Sequence, residues 1–187
     1  MANLVLALTG ATGTVAARML VEKSPWPVTL IASTWGKTVY EKECGPFAEL
    51  ARLANLVCDD DDLAAPVSSG SVPTVGMVIL PCSSNTLGEI ASGVASSLIT
   101  RAAHCHLKER RPLICCLREA PLSLIDLRNA VTVSEAGGIV MPLSPPYYML
   151  DSSRPEAVTL RQLLDVYLDR VLALLGKAAG RTWEDVR

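Results

Sequence analysis

Short apolar runs alternate with amphipathic segments along most of the chain. The apolar runs predict buried strands at residues 3–9, 28–33, 76–81, 112–117 and 138–142. Helical periodicity between them predicts helices at 14–23, 35–44, about 84–110 and 122–134, with a last helix at 158–175. Residues 45–75 and the proline-rich stretch 143–157 are predicted to be irregular.

This alternation is typical of an α/β protein. Strands that are apolar on both faces favour a parallel sheet between two helical layers, which predicts a three-layer, Rossmann-like αβα fold. We find no internal repeat and no interdomain linker, so we expect a single domain over residues 1–175 and a tail at 176–187.

Small polar residues follow three of the predicted strands. Thr9–Thr12 follow the first strand, Ser33 and Thr34 the second, and Ser83–Thr86 the third. In open parallel sheets, ligands bind beyond the carboxyl ends of the strands. Hydroxyl groups combined with the N–H groups of a helix N-terminus suit a phosphate. Three such turns at one edge therefore predict a phosphate-binding site.

The composition limits the class of protein. Half of the residues are apolar and 19% are charged, so we expect apolar surface to be buried between subunits of a homo-oligomer. A net charge of −2 gives no indication of a nucleic-acid surface. The six cysteines have neither zinc-site nor CxxC spacing, which predicts buried free thiols and no metal. No apolar run reaches the ~20 residues of a membrane span, and the first strand has no signal-peptide segment before it, so we expect a cytoplasmic protein.

The turn at residues 9–13, TGATG, first suggests a dinucleotide site. However, Thr12 stands where the GxGxxG fingerprint has its second glycine. The end of the second strand, IASTWG, offers neither an acidic residue for a ribose nor an arginine for a 2′-phosphate. None of the four tyrosines has a lysine four residues later, as a short-chain reductase needs. These absences argue against an NAD(P)-dependent reductase.

The middle of the chain carries a denser set of motifs. Residues 98–121 read LITRAAHCHLKERRPLICCLREAP, after SSGS at 68–71 and PCSSNTL at 81–87. Together with TGATG, IAS at 31–33 and PYY at 146–148, these segments resemble the UbiX-type flavin prenyltransferases. The resemblance runs along almost the whole chain and is densest in residues 76–125.

That resemblance implies a homododecameric, flavodoxin-like protein that binds FMN. It implies metal-independent transfer of a dimethylallyl group from dimethylallyl phosphate to N5 and C6 of reduced FMN. The product, prenylated FMN, would serve a UbiD-type decarboxylase. The TGATG turn would then serve the single phosphate of FMN rather than a pyrophosphate.

Site residues are assigned from the matching positions. The FMN contacts implied by the resemblance are Gly10, Ala11, Thr12, Ser33, Ser83, Ser84, Asn85, Thr86 and Arg118. Those implied for the substrate phosphate are Lys108, Tyr148, Arg170, Arg101, Ser69 and Gly70, the last two coming from a neighbouring subunit. Glu119 and Glu43 match the two family carboxylates, and the resemblance implies that they act with Lys108 in catalysis. Without a metal, protein cations must neutralise the leaving phosphate.

Several positions leave alternatives open. Apart from the resemblance, Lys108 and Arg170 are interpreted as surface charges, and Ser83 and Thr86 as helix N-caps. Glu41, two residues earlier, could also match the second family glutamate in place of Glu43, and Glu43 can alternatively be interpreted as part of a solvated helix face.

The chain also departs from the family pattern in places. His104 replaces the usual Asp, His106 follows two residues later, and Ser96 and Ser97 replace an Asn-rich stretch. The segment after Tyr148 is longer than usual, and Trp183 fits a C-terminal Trp that closes over the site. Two other functions remain open: a non-catalytic carrier of FMN or prenylated FMN, and direct decarboxylation of an aromatic acid.

Overall fold

The fold is built on a six-stranded, fully parallel sheet. A computed structural model describes residues 2–145, 147 and 155–178. The strands are β1 (Asn3–Leu8), β2 (Val28–Ala32), β3 (Leu56–Asp59), β4 (Thr74–Cys82), β5 (Leu113–Leu117) and β6 (Ile139–Val140). Their order is β3-β2-β1-β4-β5-β6. The strand order reverses between β1 and β4, and in doubly wound sheets such a switch point opens a crevice at the carboxyl edge.

Seven α-helices occur in the described part of the chain. They are α1 (Val15–Lys23), α2 (Thr34–Cys44), α3 (Phe47–Leu53), α4 (Ser84–Ala91), α5 (Leu98–Lys108), α6 (Leu124–Glu135) and α7 (Leu160–Leu174). The chain forms two compact units, Met1–Pro142 and Leu143–Arg187. The first unit contains the sheet with α1–α6, and the second contains α7. The predicted boundary at residue 175 remains a prediction.

Both faces of the sheet are covered, which explains why its strands are continuously apolar. Leu4–Leu8 of β1 are fully buried, although successive side chains point to opposite faces. Right-handed crossovers on the two sides of the β1–β4 switch place α1–α3 on one face and α4–α6 on the other. Val5 and Ala7 belong to the same apolar cluster as Leu87 of α4 and Ala102 of α5. The predicted α/β class with a parallel sheet is confirmed.

The prediction that residues 45–75 are irregular is wrong. They contain the helix α3 and the edge strand β3, which pairs in parallel with β2 from Thr29 to Ala32. Pattern analysis misses β3 because it has four residues, of which Cys58 alone is buried. Its pairing depends on the neighbouring strand rather than on its own sequence.

The single helix predicted at 84–110 is also wrong, because the structure has two helices there. Gly93 adopts φ +77°, a left-handed conformation that ends a helix readily. Ser97 then begins α5 with a capping box, in which its hydroxyl accepts from Thr100 N and the Thr100 side chain accepts from Ser97 N. The break brings the start of α5 back to the carboxyl edge of the sheet, where it contributes to the site described below.

All six cysteines are free, and five of them are buried, while Cys44 is half-buried. In the part of the chain that the structure describes, no three His, Cys, Asp or Glu side chains are grouped so that they could hold a metal ion. Within that same part, no helix has both the length and the apolar character needed to cross a membrane.

Candidate functional site

Side chains at the ends of β1 and β4 tie the two strands together at the switch point. The hydroxyl of Thr9, which follows β1, donates to the carbonyl oxygen of Pro81 at 2.7 Å. The same hydroxyl accepts from the backbone N of Ser83 at 2.9 Å. Thr9 is buried, so both bonds are shielded from water. The β1 turn and the first turn of α4 therefore form one connected wall.

Glycine at position 10 permits a close approach of two loops. A Cβ atom placed on Gly10 would lie 2.7 Å from the Cβ of Trp35, in the first turn of α2. The Trp35 side chain is 71% exposed, so its ring stands beside the turn rather than in the core. An apolar surface is thus placed next to the polar groups of the strand ends.

Helices α2 and α4 begin at this edge with serine caps. The Ser33 hydroxyl accepts from Gly36 N at 3.0 Å, and the Ser83 hydroxyl accepts from Thr86 N at 3.2 Å. The first-turn N–H groups of a helix that are not capped have no acceptor within the helix and point outward. Both N-termini can therefore donate hydrogen bonds to a bound anion.

A cleft of about 450 Å³ opens where these elements meet. This volume lies within the range of roughly 300–1,000 Å³ that is typical of small-molecule sites. The lining residues are Gly10, Ser33, Trp35, Asp60, Ser83, Asn85, Thr86, Glu89, Ser96, Ser97, Ile99 and Thr100. Hydroxyl groups, helix N-termini and one large aromatic surface are therefore combined in a single cavity.

Carboxylates of the chain itself occupy three neighbouring helix N-termini. Glu43 accepts from the backbone N of Thr14, the N-cap of α1, at 2.7 Å. Asp60 accepts from Ile99 N in the first turn of α5 at 2.9 Å. Asp126 lies in the first turn of α6 and forms its capping box. Each of these carboxylates offsets the partial positive charge of its helix N-terminus.

The first turns of α2 and α4 contain no acidic residue, and their caps are neutral serines. Among the described residues, no carboxylate accepts from a first-turn backbone N–H of α2 or α4, which both face the cleft, and Asp126 reaches α4 only through the Ser84 hydroxyl. A phosphate group fits there, because it would receive hydrogen bonds from two helix N-termini and from the Thr86 hydroxyl. At α1, by contrast, Glu43 occupies the position where a Rossmann pyrophosphate would bind. This geometry agrees with the prediction against a dinucleotide.

The amino-acid sequence is similar to that of known flavoproteins. The chain matches the Flavoprotein family model over residues 1–172. The flavin prenyltransferase UbiX of Deinococcus radiodurans is 45% identical over 159 residues, which cover 83% of this chain and 78% of that protein. That of Thermoplasma acidophilum is 41% identical over 176 residues, covering 93% of this chain and 94% of that protein. The chain belongs to the UbiX-type flavin prenyltransferases.

Solved structures support the same family. The crystal structure of AnUbiX in complex with FMN and dimethylallyl pyrophosphate has a TM-score of 0.88 and 36% identity, covering 96% of this chain and 94% of that one. A dodecameric FMN-dependent UbiX-like decarboxylase from Escherichia coli has a TM-score of 0.87 and 34% identity, covering 96% and 98%. The predicted family and the flavodoxin-like fold are confirmed.

Five of the nine predicted FMN contacts line the cleft: Gly10, Ser33, Ser83, Asn85 and Thr86. Ala11 and Thr12 lie in the same turn as Gly10, where Ala11 N donates to the carbonyl oxygen of Thr9 at 2.8 Å. The hydroxyl of Ser84 points elsewhere, because it donates to the carboxylate of Asp126. That any of these residues contacts FMN remains a prediction.

Arg118 and Glu119 lie at the same edge, directly after β5. Arg118 N donates to the carbonyl oxygen of Cys82 at 2.9 Å, which places the two residues beside the start of α4. Both side chains are exposed. Among the described residues, no hydrogen bond or ion pair engages the Arg118 guanidinium. The Glu119 carboxylate accepts from Ala120 N at 3.1 Å. Both groups are thus available to a ligand.

Glu43 has a more specific place than the sequence could give it. One of its carboxylate oxygens accepts from Thr14 N and from the Thr14 hydroxyl, both at 2.7 Å. Gly13 N donates to both carboxylate oxygens at 3.0 Å. The interpretation as a merely solvated helix face is therefore wrong for Glu43, although the side chain is exposed. Glu41, by contrast, has no such contact with the described residues.

Four of the residues predicted to bind the substrate phosphate, Lys108, Arg101, Ser69 and Gly70, belong to α5 and to the SSGS segment packed against it, and Lys108 lies away from the cleft of its own chain. Lys108 ends α5, about 12 Å along the helix axis from Thr100, at ~1.5 Å per residue. Its ammonium pairs with Glu109 at 2.8 Å, and the Lys108 side chain is 56% exposed. A Cβ on Gly70 would lie 2.7 Å from the Lys108 Nζ. Lys108 and the SSGS segment thus form one surface near the amino ends of β4 and β5.

Side chains of α5 and of the residues after it fix the SSGS segment. Arg101 Nε donates to the carbonyl oxygen of Ser68 at 3.1 Å, and the Cys105 thiol donates to the same oxygen at 3.0 Å. Arg111 donates to the carbonyl oxygens of Gly70 and Val72. Sequence patterns could not reveal these contacts, because they join residues more than 30 positions apart to backbone atoms.

The two histidines of α5 have different environments. His106 is buried; its Nδ1 lies 2.7 Å from the carbonyl oxygen of Ala102 and its Nε2 lies 2.8 Å from the Thr74 hydroxyl. Burial lowers the pKa of His106 below its usual value. His104 is half-buried, and its Nε2 has no hydrogen-bond partner among the described residues. His106 thus links α5 to the start of β4.

Arg170 lies on an exposed face of α7, in the second compact unit. Tyr148 and Trp183, both assigned by the resemblance, lie outside the described residues. Five polar cleft residues escaped the sequence analysis as ligand contacts: Asp60, Glu89, Ser96, Ser97 and Thr100. Asp60 belongs to an acidic run that resembles solvated surface, while the Ser97 cap is a signal that could have revealed the start of α5.

Proposed function

We propose that this protein is a flavin prenyltransferase that transfers a dimethylallyl group from dimethylallyl phosphate to reduced FMN. The observation that carries the proposal is the cleft between α2 and α4. Among the described residues, no carboxylate accepts from the first-turn backbone N–H groups of these two helices, and both N-termini face a cavity beside Trp35. Membership of the UbiX-type family supports the reaction. Bound reduced FMN would supply the nucleophilic N5 and C6 positions.

The FMN phosphate would bind at the N-termini of α2 and α4, with Ser33, Ser83 and Thr86 as hydroxyl partners and Arg118 as the cation. Arg118 suits this role because a guanidinium can bind two phosphate oxygens at once and no described residue already engages it. Such contacts would orient the flavin so that its ring lies beside Gly10 and Trp35. A monophosphate fits this site better than a pyrophosphate, because Glu43 occupies the next helix N-terminus.

The prenyl donor would be activated by cations from more than one subunit. Lys108 lies beside Gly70 and away from the cleft of its own chain, and Arg101 holds the same SSGS segment, so we propose that Lys108, Arg101, Ser69 and Gly70 complete the cleft of a neighbouring copy. Arg170 would join them. Positive charge at this place would stabilise the phosphate as it leaves. Glu119 would give a proton to the departing phosphate or accept the proton from C6, and Glu43 would act beside the flavin.

An oligomer agrees with the surface of α6. Leu124, Ile125 and Val131 are 61%, 69% and 57% exposed, which is unusual for a helix of an isolated protein. The related protein from Escherichia coli is dodecameric. We propose a homo-oligomer that shares its active sites between subunits and delivers prenylated FMN to a UbiD-type decarboxylase.

The decisive experiment is anaerobic incubation with reduced FMN and a prenyl donor, followed by mass analysis of the flavin. Dimethylallyl phosphate and dimethylallyl pyrophosphate should be tested in parallel, because AnUbiX was crystallised with the latter. The expected result is a flavin whose mass has increased by one dimethylallyl unit. Protein that binds FMN but alkylates it with neither donor would be a carrier, and the proposed function would be wrong.

A further inference from the structure

One buried carboxylate outside the proposed catalytic set joins two parts of the site. Asp126, in the first turn of α6, is 7% exposed. Its Oδ2 accepts from Ser123 N at 2.8 Å and from the Ser123 hydroxyl at 2.6 Å, which forms the capping box of α6. Its Oδ1 accepts from the hydroxyl of Ser84, the first residue of α4. The two oxygens thus serve two different helices.

Capping of α6 does not require the second oxygen. In α7, Gln162 forms the same kind of box with Thr159, at 2.8 Å to the backbone N and 2.9 Å to the hydroxyl, through a single oxygen. A buried carboxylate must nevertheless have partners for both of its oxygens, since an unpaired buried charge is strongly unfavourable. The choice of Asp at position 126 therefore creates a specific link to α4.

The link spans the elements that carry the proposed chemistry. Ser84 opens the helix whose N-terminus faces the cleft, and Asp126 closes the loop that begins with Arg118 and Glu119. The bond from Arg118 N to the carbonyl oxygen of Cys82 ties the strand ends below this loop. The loop is thus held to the end of β4 at one of its ends and to the start of α4 at the other, which fixes its position relative to the phosphate site.

We propose that Asp126 is a positioning residue, which acts through Ser84 to hold the phosphate-binding turn of α4 and the Arg118–Ser123 loop in one arrangement. This inference rests on the proposed function, because it concerns the same FMN site. The bonds from Ser123 and Ser84 lower the pKa of Asp126, so the group is an anion at neutral pH. Since the Ser84 hydroxyl donates its proton to Asp126, this serine would contribute to FMN binding through its backbone and its position rather than through its hydroxyl.

A double-mutant cycle tests the inference on the intact protein. The variants are Ser84→Ala, Asp126→Ala and the double variant, and the measurement is FMN affinity by fluorescence titration. We expect each single variant to bind FMN roughly tenfold more weakly, the scale of a lost hydrogen bond to a charged group. The double variant should be no weaker than Asp126→Ala, because both changes remove the same interaction.

A conservative variant distinguishes position from mere stability. In Asp126→Asn, the amide oxygen can accept from Ser123 while the amide NH₂ donates to the Ser84 hydroxyl, which turns to accept. This variant should bind FMN within about threefold of the wild type, because the link between the helices survives. The matched control is Gln162→Ala, which removes the equivalent capping box of α7 and should leave FMN affinity unchanged.

Two results would overturn the inference. Wild-type affinity in Ser84→Ala would show that the link has no effect on the site. Additive losses in the double variant would show that Ser84 and Asp126 act separately. If Asp126→Ala does not fold, Ser84→Ala compared with Ser84→Thr, which keeps the hydroxyl, decides the same question. A wild-type protein that does not bind FMN would instead contradict the proposed function.

Discussion

The carboxylate of Glu43 gives the sharpest stability prediction, because its role can be measured without any ligand. Glu43 accepts hydrogen bonds from Gly13 N, Thr14 N and the Thr14 hydroxyl at 2.7–3.0 Å. In Glu43→Ala these three donors lose their acceptor at the start of α1. If Glu43 acted on the flavin alone, this change would leave the stability of the apo protein unaltered.

The magnitude follows from the burial of the donors. Thr14 is fully buried, so its unpaired backbone N–H would cost about 1–3 kcal/mol, while its hydroxyl keeps a contact with the Cys44 sulfur at 3.7 Å. Gly13 is partly exposed and can bind water instead. Loss of a negative charge at the N-terminus of α1 adds about 0.3–1 kcal/mol. The wild type loses side-chain entropy when it orders Glu43, whereas alanine has none to lose, and this difference offsets about 1 kcal/mol. The net destabilisation is therefore about 2 kcal/mol.

The assay is thermal unfolding of the apo protein at one fixed protein concentration, since association also contributes to stability. For a chain of this length, about 2 kcal/mol lowers Tm by roughly 4–8 °C. In Glu43→Gln, one amide oxygen still accepts from Thr14, and we expect about half of the effect. The control is Glu41→Ala on the same helix, which should change stability by less than about 0.5 kcal/mol.

Equal melting of the Glu43→Ala and Glu41→Ala variants would refute this reasoning. It would mean that the contacts at the start of α1 contribute nothing measurable, and Glu43 would then act through the flavin alone. A loss in Glu43→Gln as large as in Glu43→Ala would instead show that the charge, rather than the acceptor geometry, stabilises the turn.

Other predictions concern packing, pH and catalysis. Gly36→Ala should destabilise the protein by about 3 kcal/mol in urea unfolding, because its Cβ would lie 2.3 Å from the carbonyl oxygen of Leu8. Burial lowers the pKa of His106 below 6.5, so the unfolded state takes up a proton first as the pH falls. Stability should therefore be complete above that pH and decrease below it, and the decrease should be smaller in His106→Gln. Glu119→Gln should keep FMN affinity but slow flavin alkylation by about 10²–10⁴-fold, measured in samples quenched at successive times. Unchanged turnover would show that Glu119 has no catalytic role. Lys108→Ala should raise KM for the prenyl donor as well as lower kcat, and a change in kcat alone would contradict phosphate binding.

Sequence patterns by themselves determined the class of fold and the edge that carries the site. Continuous apolar runs such as VTLIA and GMVIL can be buried on both sides only within a covered parallel sheet. Because the polar turns after these runs must meet at the carboxyl edge, Gly10, Ser33 and Ser83 were predicted to lie together. The cleft lining confirms that grouping.

Tertiary structure alone decided which helix N-termini are open to an anion. Glu43 and Asp60 lie 29 and 39 residues from their partners Thr14 and Ile99, so no local pattern could assign them. The capping box of Asp126 with Ser123 is a local pattern, but its bond to Ser84, 42 residues away, is not. Among the described residues, α2 and α4 are left with first-turn backbone N–H groups to which no carboxylate of the chain is bound. The distance of Lys108 from the cleft likewise depends on the course of α5, which begins at the cleft and ends at Lys108. Local periodicity predicts which residues are buried, but electrostatic compensation depends on contacts that only the folded chain creates.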